Sequence, residues 1–185
     1  MSAIFRVNTN NLPWVEYEES ADDGGRADLL GSVTLARQQR GADEGLVLVG
    51  WSMGGVAAAG LTLHAKRLDV SLRHTVCLAG AFTAKDPISG ERVGDALESV
   101  DVGAPFTLLH GLRDDVVPVE TSRAFARGLR RIGWPVEMVE LDTDHGAIAG
   151  ARYDATNDRY LAADDAQTRT LVRDVAARIA AVVGR

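Results

Sequence analysis

Apolar residues recur in two distinct periods along this chain of 185 residues. Short continuous apolar runs alternate with longer stretches in which apolar side chains return every three or four positions. The runs Leu46 to Val49, Thr75 to Ala81, Pro105 to His110 and Val136 to Leu141 suit strands covered on both faces, as in a parallel sheet. Ala3 to Val7 predicts one more short strand. Between the runs, Leu29, Leu30, Val33 and Ala36 are at helical spacing in Asp28 to Arg40, with acids before and Gly41 after, which predicts a capped amphipathic helix. Val56, Ala57, Gly60, Leu61 and His64 share a second helix face. Pro118 to Arg131 carries Phe125, Leu129 and Ile132 on one side and stops at Gly133. From Asp164 onward, Leu171, Val172, Val175, Ile179 and Val182 predict a closing helix that packs on the sheet. Strands that alternate with helices predict an α/β fold, a mostly parallel sheet with helices on both faces, in one domain over residues 1–185.

The remaining segments break both periods. Asn8, Thr9, Asn10, Asn11 and Pro13 signal a loop. Trp14 and Tyr17, with Glu16, Glu18 and Glu19, read as a surface loop anchored by its aromatics, without a functional role. Thr83 to Gly103 holds Pro87 and several glycines, with at most a short helix near Val93 to Leu97. That is too small for a large lid, so an open or lightly covered site is expected.

Composition narrows the partners. With 46% hydrophobic and 25% charged residues the chain is ordinary for a soluble globular protein. A net charge of −6 and a pI near 5.2 argue against nucleic acid or anionic membrane as a partner. Cys77 is the single cysteine, which excludes an internal disulfide, and its place in the run TVCLAG predicts a buried inert thiol. Early in the chain there is only Arg6 and no apolar stretch of signal-peptide length, and no run approaches a membrane span; a cytoplasmic protein is expected. A phosphate site is disfavoured too, because no strand is followed by G-x-G-x-x-G or G-K-[ST], and no cofactor is expected.

The chemistry gathers at one stretch, Leu46 to Gly60, LVLVGWSMGGVAAAG. Gly50, Ser52 and Gly54 form G-x-S-x-G between a buried strand and a small-residue helix, the pattern of a nucleophile elbow that lifts a serine hydroxyl above a sheet. Glycines flank the serine because a strained turn brings strand and helix too close for a Cβ. Ser52 then stands at a helix N-terminus, where the free N–H of Met53 points toward an oxyanion formed at a carbonyl under attack. A blander alternative is that Gly50, Gly54 and Gly55 serve packing alone, and the flanking strand and helix favour the elbow. In parallel sheets the reacting groups collect at the carboxyl ends of strands. Two later strand ends offer partners: HGLRDDVVP, with Asp114 and Asp115, and DTDHG, with His145. The order is serine, acid, histidine, as in α/β-hydrolases and unlike two unrelated serine protease folds. By position alone either aspartate reaches a histidine across the turn. No second liganding histidine lies near Asp114, Asp115, Asp142 and Asp144, so a metal site is not expected.

At GWSMGG, HGLRDDVVP and DHG the chain resembles the α/β-hydrolase superfamily, in its small esterase, lysophospholipase and dienelactone-hydrolase-like branches. The resemblance runs from Leu46 to the C-terminus. The family pattern H-G-x-x-D-x-V-V-P falls on His110, Gly111, Asp114, Val116, Val117 and Pro118, which selects Asp114 over Asp115 as the triad acid and makes His110 structural. It implies acyl transfer from a small-molecule ester or thioester: Ser52 attacks, His145 moves the proton, Asp114 orients His145, and Met53 N–H is one oxyanion donor. The second donor in this family comes from a loop after an earlier strand, often marked His-Gly, and Met1 to Gly45 contains no such motif. That span resembles the family's fourth strand and the helix after it, so an N-terminally truncated hydrolase is expected, with backbone left open beside the strand of Ser52. The alternative is that Ile4 to Val7 fills that slot and Asn8 to Asn11 supplies the donor. Two functions follow from the resemblance: a serine ester hydrolase, or a catalytically weak remnant that acts as a binding module.

Overall fold

The computed structural model describes residues 3–7, 15–17, 25–40, 45–95 and 97–183. In chain order the elements are β1 (Ala3–Val7), β2 (Val15–Tyr17), α1 (Arg26–Arg40), β3 (Leu46–Trp51), α2 (Met53–Leu63), β4 (Leu72–Leu78), β5 (Phe106–Gly111), α3 (Glu120–Arg131), β6 (Val136–Leu141), β7 (Ala151–Asp154), β8 (Arg159–Ala162) and α4 (Ala166–Val183). The main sheet has the order β2-β1-β3-β4-β5-β6, and its four strands from β3 to β6 run parallel.

Side chains leave a strand on alternate faces, so each strand feeds two cores. Leu46 and Leu48 point to the face covered by α1 and α2, where Leu29, Val33, Ala36, Ala57, Ala58 and Leu61 are buried. On the same face Phe106 and Leu108 meet Val56, Phe125, Ala126 and Leu129 of α2 and α3. Val49, Trp51, Val76, Leu78 and Leu109 point the other way, against Leu171, Val175, Ile179 and Val182 of α4. Helices therefore cover both faces. Burial of each such Leu, Val or Phe contributes about 1.5–3 kcal/mol. From Gly54 to Leu63, α2 is buried on all sides, the condition of a helix pressed into the middle of a fold.

Beside β3 the slot is occupied. β1 pairs antiparallel with β3, Phe5 opposite Gly50 and Val7 opposite Leu48. The expectation of open backbone there gives way to its alternative, since Ile4 to Val7 takes the place. Val15–Tyr17, expected within a loop, is instead a strand paired with β1; three residues are too few to show an alternating pattern. β4 starts and ends three residues before the expected Thr75 to Ala81. Its first residues, Leu72 to His74, are partly exposed and form no continuous apolar run, yet Leu72 and His74 pair with Leu46 and Val47. It ends at Leu78 because Ala79 adopts φ 48°, which turns the chain out of the strand. The short helix expected near Val93 to Leu97 is a 3-10 turn at Leu97–Ser99, with Val93 and Leu97 both buried under Phe82 and Phe125.

The antiparallel hairpin of β7 and β8, between His145 and α4, has no counterpart among the expected elements. Its strands are largely exposed and lack period-two apolar residues, and the reversal at Asp158 uses a left-handed φ of 48°. Among the described residues no helix is long and apolar enough to cross a membrane.

Candidate active site

At the carboxyl end of β3 the chain turns sharply into α2, and Ser52 is the residue in the turn, at φ 56° and ψ −121°. Such a backbone costs a non-glycine residue on the order of 1–3 kcal/mol, so its surroundings must impose it. They do so from three sides. Ser52 N–H donates to Leu78 O at 2.9 Å, and Ser52 O accepts from Gly55 N–H at 3.0 Å and Ala81 N–H at 3.2 Å. The fit requires Gly50, where a Cβ would lie 2.1 Å from Gly54 O. Met53 opens α2, and its N–H, like others of the first turn, has no partner within the helix. The side chain of Ser52 thus stands at the positive end of a buried helix.

Two later strand ends bring His145 and Asp114 to Ser52. His145 Nε2 lies 3.0 Å from Ser52 Oγ, and His145 Nδ1 lies 2.7 Å from Asp114 Oδ2. The side chains of His145 and Asp114 are 3% and 0% exposed, so both contacts are shielded from solvent. Burial pushes the Asp114 carboxyl up, but hydrogen bonds from His110 and His145 and from the Val117 N–H outweigh it and hold the group well below the usual carboxylate range. As an ionised acceptor, Asp114 fixes the proton on His145 Nδ1. That leaves Nε2 as the acceptor facing the serine hydroxyl.

Asp114 is held by its own turn. Oδ1 accepts from Val116 N–H at 3.0 Å and Val117 N–H at 2.8 Å. Asp115 is exposed, and the acid that reaches His145 is Asp114. The neighbouring acids have structural partners instead. Asp142 binds Arg113 at 2.7 Å, and Asp144 Oδ1 accepts from Gly146 N–H and Ala147 N–H at 2.9 and 2.8 Å. Arg113 N–H also donates to Thr143 O, so the Asp114 turn and the His145 loop are tied together. They meet at Gly111, where a Cβ would lie 2.3 Å from Thr143 O. Among the described residues no group of three or more His, Cys, Asp and Glu side chains is placed to hold a metal ion.

Two contacts escaped sequence reasoning. Trp51 Nε1–H donates to His145 O at 2.9 Å, and its ring centroid is 5.3 Å from that of His145. Tyr160 of β8 packs edge-on against Trp51 at 4.9 Å, so the hairpin braces the histidine loop from behind. The second is His110, expected to be structural: it is fully buried and lies 3.2 Å from Asp114 Oδ2. Its adjacency to the glycine in HGLRDD was the available signal for that contact. His64 caps the far end of α2, half buried. Cys77 is buried with Sγ 3.4 Å from Gly55 O, and burial pushes its thiol far up. A cavity of about 410 Å³ lies at that far end of α2, between residues 62–67 and 99–103, away from Ser52. Asn8 to Asn11 lie outside the described residues. Val7, which precedes them, pairs with Leu48, so β1 runs away from the Ser52 end of the sheet.

No protein-family model matches the sequence, and no curated protein sequence matches it. Solved structures do. A protein assigned as a dienelactone hydrolase from Klebsiella pneumoniae is similar with a TM-score of 0.64 at 22% identity, covering 90% of this chain and 63% of that one. An esterase from the planctomycete Thermogutta terrifontis gives 0.60 at 18%, covering 88% and 65%. An α/β hydrolase from a Medee basin deep-sea metagenome gives 0.56 at 17%, covering 88% and 67%. The chain therefore spans about two thirds of the length of the structures it resembles. With its parallel strands, helices on both faces and these likenesses, the chain has the α/β-hydrolase fold.

Proposed function

We propose that this protein is a serine hydrolase that cleaves carboxylic esters or thioesters through an acyl-enzyme on Ser52. The observation that carries the reading is His145, which contacts Ser52 Oγ through Nε2 and Asp114 through Nδ1. As Ser52 Oγ attacks the carbonyl carbon, its proton passes to His145 Nε2 and the carbonyl oxygen becomes an oxyanion facing Met53 N–H. Collapse of that intermediate breaks the bond to the alcohol or thiol, which leaves with the proton from His145. A water then delivers its proton to His145, attacks the acyl carbon and releases the acid, and Ser52 recovers its proton. Asp114 keeps its charge throughout and stabilises the imidazolium. The nature of the similar structures, a dienelactone hydrolase and esterases, supports this chemical class.

A second reading is favoured by one observation. β1 lies antiparallel in the slot beside β3, where the resemblance calls for the strand whose loop donates the second oxyanion hydrogen bond. A site with one donor in place of two loses about 100- to 1,000-fold in rate. On that reading the chain is a catalytically weak hydrolase or a binding module.

Short-chain aryl esters test the two, because a good leaving group asks least of the site. Hydrolysis that is abolished in Ser52→Ala and in His145→Ala supports the hydrolase. Turnover equal in wild type and Ser52→Ala overturns it, and binding of an ester without turnover supports the second reading.

A further inference from the structure

Asp114 Oδ2 lies between two imidazoles. His145 Nδ1 approaches it at 2.7 Å and His110 Nε2 at 3.2 Å. Oδ1 is already taken by the N–H groups of Val116 and Val117. The carboxylate is thus surrounded by four donors, two to each oxygen, which fills its acceptor capacity and fixes its rotation. Three of the four come from a short turn or from the loop that the carboxylate is meant to orient. His110 alone stands on a strand, the penultimate residue of β5, fully buried.

His110 is itself held at both ends. Nε2 is 2.8 Å from Val117 O, and since a carbonyl only accepts, Nε2 carries a proton whatever the charge on the ring. That N–H is shared between Val117 O and Asp114 Oδ2. At the other end Nδ1 is 2.7 Å from the hydroxyl of Ser122, which is 1% exposed on α3. A rigid ring with polar atoms at both ends spans from α3 to the acid turn. A Leu or Phe fills that space without donating, and leaves Val117 O and Ser122 Oγ unpaired.

We propose that His110 is a positioning residue for the Asp114 carboxylate, holding Oδ2 in line with His145 Nδ1, with Ser122 fixing His110 in turn. The proposal rests on the hydrolase reading and extends it by two residues that touch no substrate. Groups held by a firm outer layer keep reacting atoms in register, and a displacement of about 1 Å can lower the rate by about a hundredfold.

Three variants test this, His110→Leu, His110→Gln and Ser122→Ala, with Asp115→Asn as the control. Gln keeps a donor near the Nε2 position. Two readouts are needed: kcat and KM on an aryl ester, normalised to serine sites titrated with a phosphonate, and the low-field proton resonance of His145 Nδ1–H. The expected result for His110→Leu is a kcat per titrated site lowered about 10- to 100-fold with KM unchanged, and a shifted or broadened resonance. His110→Gln restores most of both, Ser122→Ala falls between, and Asp115→Asn leaves the resonance in place. Unaltered kcat per site in His110→Leu, or a fall in kcat with the resonance unmoved, overturns the proposal. If His110→Leu does not fold, the Gln and Ser122→Ala variants decide, and native values of kcat and resonance in Ser122→Ala reject the chain of contacts. If the wild type turns over no ester, the hydrolase reading has failed by itself, and the resonance still decides whether His110 positions Asp114.

Discussion

The indole N–H of Trp51 donates to the backbone carbonyl of His145 at 2.9 Å, linking the residue before Ser52 to the loop that reaches Ser52 from 93 positions later. The bond is buried, and the rings of Trp51, His145 and Tyr160 pack as a triangle, with Trp51 5.3 Å from His145, 4.9 Å from Tyr160, and those two 6.1 Å apart. The x residue of G-x-S is therefore a structural member of the site.

Trp51→Phe keeps the apolar body of the side chain and removes the donor. A buried carbonyl left without its partner costs about 1–3 kcal/mol, so thermal or denaturant unfolding should report a loss in that range. On the hydrolase reading the ester kcat falls by about tenfold with KM little changed, because the defect lies in the placement of His145. A variant with native stability and native kcat contradicts the role of this bond.

Asp114 and Asp115 are adjacent, yet the consequences of their removal differ. Asp114→Asn should lower kcat by a factor on the order of 10⁴, the cost of a histidine left in the wrong tautomer. Asp115, exposed and out of the contact, should change kcat less than about twofold when replaced by Asn. Equal losses in the two variants would contradict the assignment.

The same carboxylate predicts a pH dependence of stability. In the fold its pKa is held below the ordinary value of 3.8, so the unfolded chain binds the extra proton first on acidification. The stabilisation is fully present above the unfolded pKa and is lost as pH falls through the folded one. Denaturant unfolding between pH 6 and 3, values on the order of one to two units around the ordinary carboxylate pKa, should show wild-type stability falling more steeply than that of Asp114→Asn. Parallel curves contradict the depressed pKa.

Two glycines should respond to alanine in opposite ways. At Gly50 a Cβ meets Gly54 O at 2.1 Å and the neighbouring backbone has nowhere to go, so Gly50→Ala should yield little folded protein. At Gly31, within α1, nothing lies within 4 Å of the added Cβ. Gly31→Ala should stabilise by about 0.5–1 kcal/mol, since alanine loses less backbone entropy in a helix. Thermal unfolding of the two variants beside the wild type reads both signs.

Whatever was legible in the sequence was local. Leu46 to Gly60 carries strand, turn and helix in one continuous stretch, and its glycines state the steric limits of the turn. HGLRDDVVP and DTDHG follow apolar runs, so their place at strand ends could be read directly. The features that escaped depend on residues far apart in the chain. Trp51 meets His145, and His110 meets Ser122 on α3, through side chains whose spacing carries no period. β2 is too short to show an alternation, and the β7–β8 hairpin is too short and too exposed to alternate apolar with polar residues. The antiparallel place of β1 beside β3 is a matter of pairing that five residues of strand cannot announce.

Ser52 is the centre of the proposed chemistry, and its nucleophilicity is measured most directly by covalent capture. The purified protein is treated with a fluorophosphonate, and intact mass and peptide mapping are read for wild type, Ser52→Ala and His145→Ala. The predicted result is a single phosphonyl adduct on Ser52 in the wild type, absent in Ser52→Ala and formed far more slowly in His145→Ala. An unlabelled wild type, or the same adduct on Ser52→Ala, would contradict the assignment of Ser52 as the activated nucleophile.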